Sequence, residues 1–182
     1  IESNADDILV LIEDLVTLTR LDLLHHPPSQ EIIGVGMLLS EVRRASEAFA
    51  RTRGLEVAIQ TPDEPISVQG NLTDLSLAFS AVLKNAVQHS EPEDRIDIRI
   101  SCQGDRARVV VADTGAGIAL EHLPYIFERL YRGGRSQASR GFGLGLPIAK
   151  RVIELHGGIL SLQTEPGKGA EVTVELPRST AS

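Results

Sequence analysis

The chain has 182 residues, 42% of them hydrophobic but only 3% aromatic and none of them Trp, which suits one ordinary domain, or a domain and an appendage, with an aliphatic core. A formal net charge of −7 argues against a dedicated nucleic-acid surface, which needs a basic stripe, but leaves room for an anionic ligand where cations gather locally. The single cysteine, Cys102, excludes an intramolecular disulfide and makes a reducing compartment the default; no run approaches the roughly 18 apolar residues of a membrane helix, and no signal peptide is visible.

The chain opens on Ile1, mid-pattern and without a methionine, as expected of a piece of something longer. Ile8, Leu11, Ile12, Leu15, Leu18 and Leu21 recur at spacings of three and four, which predicts an amphipathic helix with a coiled-coil-like seam that needs a partner helix. Asn4 or Asp6 would cap its start, and "HHPPS" at residues 25–29 ends it, because proline cannot continue a helix. A boundary falls near residues 25–31. "MLLSEVRRASEAFARTRG" reads as a second helix closed by Gly54, and "LEVAIQTP" alternates as a strand. "LTDLSLAFSAVLKNAVQHS" is another amphipathic helix with Asn71 or Thr73 as cap. Two strands follow around the turn Gln103-Gly104-Asp105. Residues 131–141, "YRGGRSQASRG", have no period and read as a mobile loop. "LPIAKRVIELHGG" is a helix closed by Gly157, and the last hairpin turns at residues 166–169. Helix, strand, helix, strands, helix, hairpin: this order indicates a two-layer α/β sandwich.

Three clusters carry chemistry. "GFGLGLPIAK" gives up side chains at Gly141, Gly143 and Gly145 just where a helix starts. Bare backbone N–H groups and the positive end of the helix suit a phosphate, and Pro147 in the first turn forgoes a donor that would be unpaired anyway. The spacing is neither a dinucleotide fingerprint nor a Walker loop, and a purely structural turn has the same appearance. "VVVADTGAGI" ends a strand on Asp113 beside Gly115 and Gly117, so the carboxylate could accept a hydrogen bond from an amino group on a flat ligand; a solvated Asp opening a turn is the plainer alternative. Asn85 lies on a helix between Leu83, Ala86 and Val87, where it is either a satisfied structural amide or an oxygen ligand for Mg²⁺.

In this order and spacing, Asn…Asp-x-Gly-x-Gly…Phe…Gly-x-Gly-x-Gly resembles the ATP-binding domain of sensor histidine kinases, in the superfamily of DNA gyrase, MutL and the heat-shock chaperones with the Bergerat ATP fold. The resemblance implies an α/β (α+β) two-layer sandwich with a mixed sheet, preceded by one long helix. It implies a second helix of a dimerisation and phosphotransfer domain over residues 1–26, a linker and first strand over 27–35, the catalytic ATP-binding domain over 36–178 and a tail over 179–182. Carried over residue by residue, Asn85 holds Mg²⁺ and Asp113 bonds the adenine amino group, with Gly115, Gly117 and Ile118 around the base. Phe127 anchors the lid and Arg132 approaches the terminal phosphate. Gly141, Gly143 and Gly145, with the amides of Leu144 and Leu146, cradle the triphosphate.

Departures accompany the resemblance. Ala81 stands where the family often has a second Asn, and Gln88 where it often has Lys. His89 replaces the usual Tyr and either stacks on the base or is an ordinary exposed His; Ala170 replaces a usual Thr. Arg135 or Arg140 could supply the missing charge, and weak or phosphatase-biased activity is a consistent outcome. The phosphoacceptor histidine is not in this chain: His25 and His26 read as a solvated helix end, and His122 and His156 receive no role. The implied activity is transfer of the ATP γ-phosphoryl to a histidine on a phosphotransfer helix, for relay to a response regulator. Alternatives are a nucleotide-sensing interaction module without phosphotransfer, or a serine kinase or ATPase of the superfamily. Implied with it are ATP and Mg²⁺ as cofactors, a homodimer through the helix at 2–24, a cytoplasmic place in a membrane-anchored sensor, and no contact of this chain with membrane or nucleic acid.

Overall fold

Alternation builds the sheet. In a computed structural model that describes residues 2–27, 29–133 and 142–179, with side chains from residue 8 onward, β4 (Arg95–Gln103) buries Ile96, Ile98 and Ile100, while Arg95, Asp97 and Arg99 face away. β5 (Arg106–Asp113) buries Ala107, Val109 and Val111, and β7 (Ala170–Pro177) buries Val172, Val174 and Leu176 on the same side. With β2 (Glu56–Gln60) and β6 (Ile159–Thr164) the strands take the order β2-β4-β5-β7-β6. β2 runs parallel to β4 and every other pair is antiparallel, so the sheet is mixed. A separate antiparallel pair joins β1 (Glu31–Gly34) to β3 (Ser67–Gly70), and the sequence pattern alone does not reveal β3.

Three helices cover the apolar face: α2 (Val35–Thr52), α3 (Leu72–His89) and α4 (Gly145–Leu155). α3 buries Leu75, Ala78, Phe79, Val82, Leu83, Ala86 and Val87, the three-and-four spacing that puts one stripe on the core. Asn71 caps it: its Oδ1 accepts from the Asp74 N–H at 2.9 Å. His156, just past α4, ties the two helices together. Its Nε2 accepts from the Asn71 N–H at 3.0 Å while Nδ1 lies 2.7 Å from the Val152 carbonyl, so one buried imidazole bridges both.

α1 (Glu2–Asp22) differs from expectation twice. It is already helical at Asn4 and Asp6, so neither marks its start. Its apolar residues also form two stripes and not one seam. Leu18 and Leu21 are buried, with Leu11 and Leu24 beside them, against the same core as the sheet helices; Ile8, Leu9, Ile12, Leu15, Val16 and Leu23 are exposed. The helix carries more apolar surface than one face holds, and the domain covers only half of it. Arginines fasten the covered side: Arg151 on α4 donates to the Leu21 and Leu24 carbonyls at 3.3 and 2.7 Å, Arg129 spans both oxygens of Asp22 at 2.9 and 2.7 Å, and Arg20 reaches the buried Asp74 at 2.7 Å. Among the described residues no helix is long and apolar enough to cross a membrane.

Candidate functional site

At the end of β5 the chain leaves the sheet, and Asp113 sits at the exit. Its Oδ1 accepts from the N–H groups of Gly115 at 3.0 Å and Ala170 at 3.2 Å. Both bonds fall on one oxygen, and among the described residues Oδ2 has no hydrogen-bond partner. Burial pushes the Asp113 carboxyl above its ordinary value and Asp94 pushes with it, against the two N–H groups and His89, which pull it down. A carboxylate kept at a cost to its charge, beside bare backbone, is a feature of binding sites.

The floor beside Asp113 is made by chain packed on chain. A Cβ on Gly115 would lie 2.7 Å from the His89 carbonyl oxygen and 3.2 Å from the Ser90 Cα. At Gly117, with φ of +66°, a Cβ would run into the Glu165 carbonyl. Ile118 donates its N–H to Thr164 Oγ1 at 2.9 Å, and that hydroxyl donates to the Gly169 carbonyl at 2.7 Å. The β6–β7 hairpin therefore holds the 113–118 loop. Thr164 and the Ala170 N–H are contributors that sequence reasoning missed. A Thr inside a strand reads only as β propensity, and the departure at position 170 concerns a side chain where the structure uses the backbone.

α3 lines the site from the other side. Asn85 is half-buried, and among the described residues its carboxamide has no hydrogen-bond partner, so its oxygen is open to a ligand. A single amide oxygen with waters and phosphate oxygens suits Mg²⁺, which keeps several waters. Among the described residues no group of three His, Cys, Asp or Glu could hold a metal by itself. One turn before Asn85, Ala81 faces the start of α4, where a Cβ on Gly145 would sit 3.7 Å from its own. The small residue thus lets the two helices meet where the family often places a second amide. One turn after Asn85, His89 is exposed over much of its surface; burial of the rest lowers its pKa, Asp113 opposes this and Arg53 adds to it.

The phosphate-type end is the first turn of α4. Gly145 and Leu146 offer N–H groups that no helical carbonyl can take, and Pro147 has none to offer. Leu144 and Leu146 are buried, at 1% and 9% exposure, and anchor the start of α4 in the core. Gly143 is bare for a nearer reason than an anion. Its φ is +69° and a Cβ would meet the Tyr131 carbonyl, because residues 130–131 and 142–143 close on each other: the Leu130 N–H donates to the Gly143 carbonyl at 3.1 Å. Leu130 itself has φ of +63°, a conformation rare for a branched side chain. Phe127 packs on the core below this junction, with Lys150 Nζ 5.1 Å from its ring centre, and Arg132 is exposed just beyond it. Gly141, Arg135, Arg140 and most of the expected loop, residues 134–141, lie outside the described residues.

Asp113, Gly115, Gly117, Ile118 and the His89 carbonyl are thus gathered where the chain leaves β5, Asn85 lies along α3, and Gly143 to Leu146 lie at the start of α4 beside residues 130–131. The family described as histidine kinase-, DNA gyrase B-, and HSP90-like ATPase matches residues 70–180. The phosphate regulon sensor protein PhoR of Pseudomonas aeruginosa is 33% identical over 165 residues, which cover 90% of this chain and 37% of the relative. The sensor-like histidine kinase SenX3 of Mycobacterium tuberculosis is 31% identical over 169 residues, 92% of this chain and 41% of the relative. Full-length ShkA, solved in complex with AMPPNP, superposes with a TM-score of 0.87 at 27% identity, over 99% of this chain and 38% of that one. The chain spans about two-fifths of the length of the curated relatives it matches.

Proposed function

The chain belongs to the histidine kinase-, DNA gyrase B- and HSP90-like ATPase family, and on that premise we propose that it is the ATP-binding catalytic part of a sensor histidine kinase. The observation that carries the reading is Asp113. A carboxylate with one oxygen pinned by two backbone N–H groups and the other without a partner among the described residues, beside the closely packed backbone of Gly115 and Gly117, accepts from the amino group of adenine. At the far end the Gly145 and Leu146 amides and the positive end of α4 receive the phosphates, and Arg132 adds a cation. Asn85 would hold Mg²⁺, whose part when bound is to neutralise phosphate charge. Transfer of a phosphoryl group depends on positioning and charge neutralisation, and these residues supply the nucleotide half of both.

The acceptor half is a histidine on a phosphotransfer helix of the same longer protein, and a response regulator takes the phosphoryl group onward. The uncovered stripe of α1, with Leu9, Ile12 and Val16 at spacings of three and four, supports homodimerisation through that helix. We divide the chain accordingly into the partial phosphotransfer helix at 1–26, a linker and first strand at 27–35, the catalytic domain at 36–178 and a tail at 179–182, on the cytoplasmic side of a membrane-anchored sensor.

The test is calorimetric titration with ADP and ATP in the presence of Mg²⁺, followed by incubation with γ-labelled ATP and a separately supplied phosphotransfer domain. Acid-labile, base-stable label on the supplied histidine is the expected result. No nucleotide binding would refute the reading outright. Binding without transfer to any supplied acceptor would replace it with a nucleotide-sensing module.

A further inference from the structure

Arg53 caps the C-terminal end of α2 and is no part of the site described above, yet its side chain reaches the segment that borders it. Its Nη2 donates to the Ser90 carbonyl at 3.2 Å, and among the described residues its buried Nε has no partner. Next to it Gly54 packs on Pro92, with 3.7 Å between the position of a Cβ and the proline side chain, so α2 grips the segment that follows α3 at two points. That segment is held from below as well: Ser90, 1% exposed, donates its hydroxyl to the Ala86 carbonyl at 2.9 Å. Its upper surface, the His89 carbonyl and the Ser90 Cα, is the one that Gly115 touches, and Gly115 donates its N–H to Asp113.

A single chain of contacts follows: Arg53 to Ser90, the 89–90 backbone to Gly115, Gly115 to Asp113. We propose that Arg53 is a positioning residue for the base end of the nucleotide site, setting the gap between the 89–90 turn and Gly115 and through it the aim of Asp113 at a purine. The proposal rests on the adenine reading of Asp113 and adds to it a residue from another element. Helix α3 alone cannot fix this gap, since the chain turns from helical to extended at Ser90, with φ −97° and ψ 148°, and the carbonyl there has no helical donor. A cation supplies that donor more strongly than a neutral group would.

The location makes a prediction that a general structural role does not. Loss of the Arg53 contact should weaken every ligand that carries the base, by the same factor, and leave phosphate binding untouched. Three probes separate these ends: ADP, adenosine, and inorganic tripolyphosphate as a competitor of ATP. In Arg53→Ala we expect the Kd of ADP and of adenosine each to rise about tenfold, the scale of one hydrogen bond to a charged donor, with tripolyphosphate competition unchanged. Arg53→Lys, which keeps the charge and one donor, should recover most of the affinity. Asp113→Asn is measured alongside. If Asp113→Asn leaves adenosine binding intact, the base reading itself fails; if it abolishes binding while Arg53→Ala does nothing, only the positioning proposal fails. A loss confined to ADP would place Arg53 at the phosphates and overturn it. A fall in thermal stability that accompanies equal losses for all three probes, in the Ala and Lys variants alike, would reduce Arg53 to a structural residue and overturn it too.

Discussion

Replacing Asp113 with Asn should separate binding from folding. The carboxamide oxygen can take over both bonds made to Oδ1, from the Gly115 and Ala170 N–H groups, because an amide oxygen accepts as a carboxylate oxygen does. The other oxygen becomes an NH₂ group, which meets the adenine amino group donor to donor. The loss is one charge-assisted hydrogen bond, about 1.5–3 kcal/mol, or roughly a 10- to 150-fold rise in Kd. The fold responds in the opposite sense. Burial raises the Asp113 pKa above 3.8, so between 3.8 and its native value the folded protein binds more protons than the unfolded chain, and stability falls as pH rises through that window. Asn carries no charge to bury, so the variant should melt at the same temperature or higher at neutral pH and lose that part of the acid-side dependence. Isothermal calorimetry with ADP and melting curves across acid and neutral pH measure both halves. A folded variant with unchanged ADP affinity would refute the adenine assignment; a clearly lowered melting temperature at neutral pH would refute the claim that the carboxylate is held at a cost.

Leu21→Ala removes a fully buried side chain from the α1 contact and should cost about 2–5 kcal/mol, detected in denaturant unfolding; protease cleavage within residues 8–24 should accelerate with it. Arg129→Ala breaks the Asp22 pair, but with side chains 56% and 39% exposed it should cost less than about 1 kcal/mol, so a large loss would show that α1 docks mainly by charge. His156→Ala leaves the Asn71 N–H without its acceptor and should destabilise by about 1–3 kcal/mol with nucleotide affinity unchanged, as calorimetry on the folded variant would show. His89 has its pKa lowered, mainly by burial, so below 6.5 and down to its native value the unfolded chain binds the extra proton and stability rises with pH; His89→Asn should flatten that stretch of the melting-temperature profile.

Much of this protein is legible as pattern because its determinants are local. Period-two alternation marks β4, β5 and β7, three-and-four spacing marks α3 and α4, and Gly54 and Gly157, at φ of +69° and +68°, close their helices as a left-handed residue must. The residue types at Asn85, Asp113 and the glycines around 115 and 143 are likewise readable, since an amide, a carboxylate and bare backbone each restrict what can bind. Tertiary structure alone decides what these residues do to one another. That Gly143 must be bare to pass the Tyr131 carbonyl, that Thr164 holds Ile118, and that Arg53 reaches Ser90 all depend on segments 12 to 46 residues apart meeting in space, which no local period encodes. The same holds for α1. Its sequence reads as one seam, and only the structure divides its apolar residues into a covered and an uncovered stripe, with the Leu21 and Leu24 carbonyls that Arg151 reaches fixing the register of the covered one. Hydrophobic burial has no direction of its own, and hydrogen bonds and charge supply one.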